Sequence, residues 1–114
     1  MLSCDPLEIK TKYLGCWKDD NRNHAIPSME VLCPMLEGGY WDRKDNFWQC
    51  YHCAKFRGYR IFALQDGGRC SGADKEGDFY KRYGKADHCL PDGSGGILAN
   101  SVYEILGKLN LLGL

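Results

Sequence analysis

The sequence predicts an α+β fold, with one main helix packed on a small antiparallel sheet, rich in loops and stapled by disulfides. Three observations predict it. Seven cysteines and 14 glycines in 114 residues give a density at which disulfides replace part of a hydrophobic core. Residues 46–57 carry apolar side chains at helical spacing. Several short aromatic or β-branched runs stand between clusters of turn residues.

Taken in order, residues 13–17 read Tyr-Leu-Gly-Cys-Trp and are closed by the polar cluster Lys18-Asp19-Asp20-Asn21, which marks a first strand and its turn. Residues 21–44 hold Pro27, Pro34 and Gly38-Gly39 among scattered apolar side chains. That stretch is too irregular for a helix and too long for a hairpin turn, so it reads as a structured loop. From Asp45, a candidate N-cap, the side chains Phe47, Cys50, Tyr51 and Ala54 recur at helical spacing until Gly58 stops the run. Residues 59–65, Tyr-Arg-Ile-Phe-Ala-Leu-Gln, predict a buried strand ended by Asp66-Gly67-Gly68, so the helix packs on the strand that follows it. Residues 70–92 read as loop with a short helical turn over 79–83, and lead into Gly93-Ser94-Gly95-Gly96. Residues 97–105 predict the last strand through Val102-Tyr103-Glu104-Ile105, and the Leu-rich residues beyond it a short helix or linker.

The length fits one domain, over residues 13–105, with an extension over 1–12 and a tail over 106–114. Lysine plus arginine and aspartate plus glutamate both number 15, so no broad basic field exists to attract a phosphate backbone and nucleic acid is not the expected partner. No apolar run approaches the roughly 18 residues of a membrane span. The cysteine density implies secretion, while Met1-Leu2-Ser3-Cys4-Asp5-Pro6 lacks the basic and apolar regions of a signal peptide. A mature form or an excised module is therefore expected.

Tyr13-Leu14-Gly15-Cys16, Cys50 in the helix, the strand Gly58-Tyr59-Arg60-Ile61-Phe62-Ala63-Leu64-Gln65 and Ser101-Val102-Tyr103 together resemble a WSC domain over residues 13–105. The resemblance implies a cysteine-rich extracellular module, similar in style to PAN and apple domains, with a carbohydrate-binding role. Ala63-Leu64-Gln65-Asp66-Gly67-Gly68-Arg69-Cys70, Tyr83-Gly84-Lys85 and Asp92-Gly93-Ser94-Gly95-Gly96 are similar to a divergent branch found in secreted proteins of marine invertebrates. The chain departs from the family pattern at Ser71-Gly72 and Gly95-Gly96, where cysteines are usual, so at least one usual bridge is missing. Cys50 and Cys53 also stand one residue closer than the family's helix pair.

Seven cysteines form at most three bridges and leave one thiol, with a connectivity that sequence does not fix. The adjacency of helix and strand favours Cys50 with Cys70; Cys16 with Cys89 would tie the first strand to the segment before the last. Cys33 with Cys53 would pin the long loop to the helix and leave Cys4 as a free or intermolecular thiol, able to link a homodimer. Two rivals use the same residues. Cys50-Tyr51-His52-Cys53 has the spacing of a redox pair, but it falls inside the predicted helix with no strand just before it. Cys50, Cys53, Cys70 and either His88 or Cys89 could hold zinc, although thiols in an oxidising compartment pair as disulfides instead.

No serine, histidine and acid stand in a nucleophile-elbow pattern, so an enzyme is not expected and no catalytic residue, metal or cofactor is assigned. His24, His52 and His88 read as structural or surface side chains. Asp19-Asp20-Asn21 and Asp74, Glu76 and Asp78 offer oxygens but not a regular calcium loop. Sugar recognition stacks a ring face on an aromatic side chain while polar groups meet the hydroxyls. Tyr40, Trp41, Asp42 and Arg43, with Asn46 nearby, form the candidate ligand-binding group, whereas Trp17 and Trp48 are expected in the core. The expected function is an extracellular binding or adhesion module for a glycan or a matrix protein. A self-associating structural protein is the alternative, and a thiol-redox enzyme on Cys50 and Cys53 stands behind both.

Overall fold

The computed structural model describes residues 10–36 and 38–106. Cys4, most of the N-terminal extension and the tail beyond Leu106 lie outside the described residues. The elements run β1 (Thr11–Lys18), a 3₁₀ turn (Tyr40–Asp42), α1 (Asn46–Phe56), β2 (Ile61–Gln65), β3 (Arg69–Ala73), a second 3₁₀ turn (Phe79–Lys81) and β4 (Ala99–Ile105). The four strands form one antiparallel sheet in the order β1-β4-β2-β3. The fold is therefore the expected α+β arrangement of one helix on a small antiparallel sheet. Thr11 pairs with Ile105 across β1 and β4, so the two ends of the described chain lie side by side.

Period-two alternation divides the sheet into two faces. On one face Phe62, Leu64, Cys70, Tyr103 and Ile105 pack under α1, which buries Cys50, Tyr51, Cys53 and Ala54. On the other, Ile61, Ala63, Ala73 and Val102 are covered by Ala25, Ile26 and Tyr80 from the connecting loops. Both outer edges are closed by backbone pairing. Residues 27–29 run beside β3, through Gly72 N–H to the Pro27 carbonyl at 2.9 Å and Met29 N–H to the Cys70 carbonyl at 2.9 Å. Lys18 N–H to the Gly84 carbonyl at 2.9 Å and Ala86 N–H to the Cys16 carbonyl at 3.0 Å do the same for β1.

Helix α1 ends as its sequence dictates. Gly58 takes φ of 76°, and the N–H groups of Gly58 and Tyr59 reach the carbonyls of Lys55 and Ala54 at 3.0 and 2.8 Å. This is the paired closure that a glycine after the last turn permits. The start differs from expectation. Asp45 occupies the N-cap position in the left-handed region, with φ of 56°, and its carboxylate makes no capping hydrogen bond. Three further expectations are corrected. Residues 70–73, part of the stretch 70–92 expected as loop, belong to strand β3. Residues 40–42, inside the long loop, form a 3₁₀ turn. Trp48, expected in the core, is 46% exposed on the outer face of α1, where its ring stacks on His52 at 5.2 Å between centroids. Trp17 is half-buried edge-on to Tyr80, and its indole N–H reaches the Leu14 carbonyl at 2.9 Å.

Three disulfides join these parts: Cys16–Cys89 ties β1 to the loop before β4, Cys33–Cys53 ties the long loop to α1, and Cys50–Cys70 ties α1 to β3. Among the described residues no helix is long and apolar enough to cross a membrane.

Candidate functional site

Antiparallel register brings one residue from each strand to the same end of the sheet. Trp17 on β1 faces Asn100 on β4, Asn100 faces Gln65 on β2, and Gln65 faces Arg69 on β3. Asp19, just past β1, joins this row. Its carboxylate accepts the Ala25 N–H and a Gln65 amide N–H, each at 2.7 Å, and the His24 Nδ1–H at 2.6 Å. Burial alone pushes the Asp19 carboxyl upward, but the hydrogen bonds from Ala25, His24, Gln65 and the Asp20 backbone outweigh it and hold it below the usual carboxylate range. The charged form is thus the one that the fold accommodates.

The rest of the network follows from donor and acceptor counting. Gln65 Nε2 also donates to Asn100 Oδ1 at 2.8 Å, so both of its amide hydrogens are committed inside the protein. A carboxylate can only accept, so His24 carries its proton on Nδ1. That leaves Nε2 as the acceptor for Arg69 Nη2, which stands 3.3 Å away. The chain Asn100–Gln65–Asp19–His24–Arg69 therefore spans all four strand ends. Its members are separated by up to 81 positions in sequence, between Asp19 and Asn100.

Above this row lies a polar cavity of about 340 Å³, walled by Asn21, His24, Tyr40, Gln65, Asp66 and Arg69 with Ile97 and Leu98. The 3₁₀ turn supplies its aromatic rim. Tyr40 donates its hydroxyl to Asp66 Oδ2 at 3.0 Å, and burial together with that carboxylate raises the phenol above its ordinary value. Trp41 packs edge-on against Tyr40 at 5.1 Å and remains 77% exposed. Gly39 makes this placement possible, because a Cβ there would collide with the Trp41 ring.

The four residues expected to bind ligand are thereby separated. Tyr40 lines the cavity, and Trp41 packs edge-on against Tyr40 without being part of the wall. Asp42 is exposed at the end of the 3₁₀ turn and is not part of the cavity wall. Arg43 has a structural role: its side chain is only 2% exposed, and its guanidinium grips Glu30 in a bidentate pair at 2.7 and 3.1 Å. Glu30 in turn accepts the Cys70 N–H at 2.7 Å, so this pair fixes the long loop against β3. Asn46 likewise faces inward, donating to the Gly67 carbonyl at 2.8 Å. Sequence reasoning missed His24, Gln65, Asp66, Arg69 and Asn100. The available signal was the polar Gln65 ending an otherwise apolar strand, since a buried polar side chain requires partners.

The cysteines proposed for zinc or redox chemistry are distributed over different bridges. Cys50 pairs with Cys70, Cys53 with Cys33 and Cys89 with Cys16, so they form neither a thiolate cluster nor a mutual Cys50–Cys53 pair. Among the described residues no three His, Cys, Asp or Glu side chains converge as a metal site requires. No family model matches the sequence, and no curated protein matches it significantly.

Proposed function

We propose that this chain is an extracellular binding module for carbohydrate, as the WSC resemblance implies, and that it works without catalysis. The observation that carries the reading is Tyr40 in the wall of a preorganised polar cavity, with the exposed Trp41 ring packed edge-on against it. A sugar presents an apolar ring face and a set of hydroxyls, and this pairing of surfaces supplies partners for both. The exposed indole of Trp41 offers a stacking platform, while Asp66, Asn21 and Arg69 offer acceptors and donors at the cavity wall. Fixing the polar wall through the buried Asp19 network reduces the ordering cost of binding. An extracellular location is supported by the three bridges, which persist in an oxidising compartment. The non-catalytic reading is supported by His24, whose two ring nitrogens are both engaged by Asp19 and Arg69 and so are not offered to a nucleophile.

The direct experiment is a glycan array probed with the oxidised protein alongside Trp41→Ala and Tyr40→Ala. Retention of defined glycans by the wild type, with loss of about tenfold or more in affinity for Trp41→Ala, is expected, since a stacked aromatic contributes on the order of 1–2 kcal/mol. A protein that retains no glycan, or one whose binding is untouched by both substitutions, would remove the basis of the proposal.

A further inference from the structure

Beside the polar cavity lies a second one of about 390 Å³, and the two share Asp66 and Ile97 as common walls. Their chemistry differs sharply. Where the first is walled by His24, Gln65, Asp66 and Arg69, the second is built from Leu90, Gly95, Gly96 and Ile97 with the His88 ring. The His88 ring is itself tied down, with Nε2 at 2.8 Å from the Ile97 carbonyl. We infer that the two cavities form one site for an amphiphilic glycoside, with the sugar in the polar cavity and an aliphatic aglycone, such as the chain of a glycolipid, in the apolar one.

The apolar cavity is held open by its backbone. Asp66 N–H bonds the Gly96 carbonyl at 3.0 Å, Gly67 N–H the Ser94 carbonyl at 3.1 Å, and Leu90 N–H the Gly95 carbonyl at 2.9 Å. Glycine is required at its floor: a Cβ on Gly95 would collide with the Leu64 carbonyl, and one on Gly96 with the His88 carbonyl. The Cys16–Cys89 bridge anchors the same loop one residue before Leu90.

Two further observations mark this rim as a site. The described residues include three non-glycine positions with left-handed backbone, and two of them, Asp66 at φ of 55° and Leu98 at φ of 51°, border the joined cavities. Leucine in that region is strained, and such strain persists where surrounding bonds over-determine it. Here the Leu98 carbonyl is held by the Asp19 N–H at 2.9 Å. At this rim three aliphatic side chains stand at the surface, with Ile97 72%, Leu90 50% and Leu98 40% exposed. Aliphatic walls around a glycine floor accept a hydrocarbon chain through area burial alone.

This inference rests on the carbohydrate reading, and the experiment separates the two. Binding of methyl and n-octyl β-glycosides of glucose, galactose and mannose, kept below micellar concentrations, is measured on the oxidised protein by calorimetry and by amide chemical shifts. The octyl form of a bound sugar is expected to bind about tenfold or more tighter, the gain from burying as few as two methylenes. Leu90→Ser and Ile97→Ser should bring that ratio toward one, and Leu90→Ser, which borders the apolar cavity and not the polar one, should leave methyl-glycoside affinity unchanged; both residues are exposed enough for the variants to fold. Phe56→Ser, on the exposed face of α1, should leave the ratio as it is. Equal affinities for methyl and octyl forms, or an octyl gain that survives Leu90→Ser and Ile97→Ser or vanishes in Phe56→Ser, overturns the inference alone. Absence of binding by every glycoside overturns the carbohydrate reading and this inference with it.

Discussion

The two faces of the sheet are closed by different chemistry. Under α1, Phe62 stacks on Tyr103 at 5.2 Å and meets Phe47 and Tyr51 edge-on, while two bridges, Cys33–Cys53 and Cys50–Cys70, run through the same layer. The opposite face has a thinner apolar layer of Ile61, Ala63, Val102 and Ile26, and at one end gives way to the network around Asp19. The contrast separates two tasks. Apolar burial and cross-links need only volume and geometry, so they can sit anywhere under the helix. A polar network requires matched donors and acceptors from every strand. It therefore stands where the strands end together, and there it can also face a ligand.

Removing the bridges tests that separation most severely. Chain entropy alone assigns about 4.4 kcal/mol to Cys16–Cys89, with its sequence separation of 73, and about 3.3 to Cys50–Cys70, with 20. Packing reverses this order. Cys50 and Cys70 are both 0% exposed, and truncating each to alanine adds a cavity term of about 1 kcal/mol per sulfur under the helix. Cys50→Ala with Cys70→Ala is thus expected to lose more stability in urea than Cys16→Ala with Cys89→Ala, and the opposite ranking would mean that the helix layer tolerates collapse. Next in size, Phe62→Ala removes a ring that is 0% exposed and should cost about 3–5 kcal/mol, read from the same denaturation curves.

How far the sequence reveals this division depends on how local each signal is. The helix and strands β1, β2 and β4 announce themselves through aromatic or periodic runs bounded by turn residues, and the structure has each of them. Strand β3 reads Arg-Cys-Ser-Gly-Ala and offers no branched or aromatic side chain. Its strand character comes from pairing on both sides, to β2 and to residues 27–29, and its Gly72 leaves space for Met29, whose Cε would stand 2.7 Å from a Cβ there. Trp48 shows the limit of periodicity from the other side. Its ring is large enough to suggest burial, yet the inward stripe of α1 is already filled by Phe47, Cys50, Tyr51 and Ala54. Of the residues expected to bind ligand, Tyr40 lines the polar cavity and Trp41 packs on it. Arg43 was misassigned because its partner Glu30 lies 13 residues away, and the Asp19 network was invisible because register alone brings its members together.

Acid should distinguish the faces by a smaller amount. The Asp19 carboxyl lies below its ordinary value, so the stability it contributes is fully present above the unfolded-state value of about 3.9 and is lost as pH falls through the folded value. Asp19→Asn should therefore cost about 1–3 kcal/mol at neutral pH, the scale of a broken buried hydrogen-bond network. Near pH 3 its deficit relative to wild type should shrink, while the deficit of Phe62→Ala, which involves no ionisable group, should hold. If the Asp19→Asn deficit is the same at both pH values, the carboxylate charge is not what stabilises the sheet end.

The smallest stability effect should accompany the largest effect on binding. Trp41 is 77% exposed and packs edge-on against Tyr40, over the glycine at 39. Its truncation to alanine should leave the urea midpoint within about 0.5 kcal/mol of wild type, as for a surface substitution without buried partners. Phe62→Ala, corrected for the fraction unfolded, should bind glycan as wild type does, because its ring lies under α1 rather than at the cavity wall. Such opposite behaviour of two aromatic truncations would assign stability to the helix face and recognition to the sheet end. If Trp41→Ala destabilises by more than 1 kcal/mol, as a core ring would, the aromatic rim belongs to the fold and the division between the faces fails where it matters most.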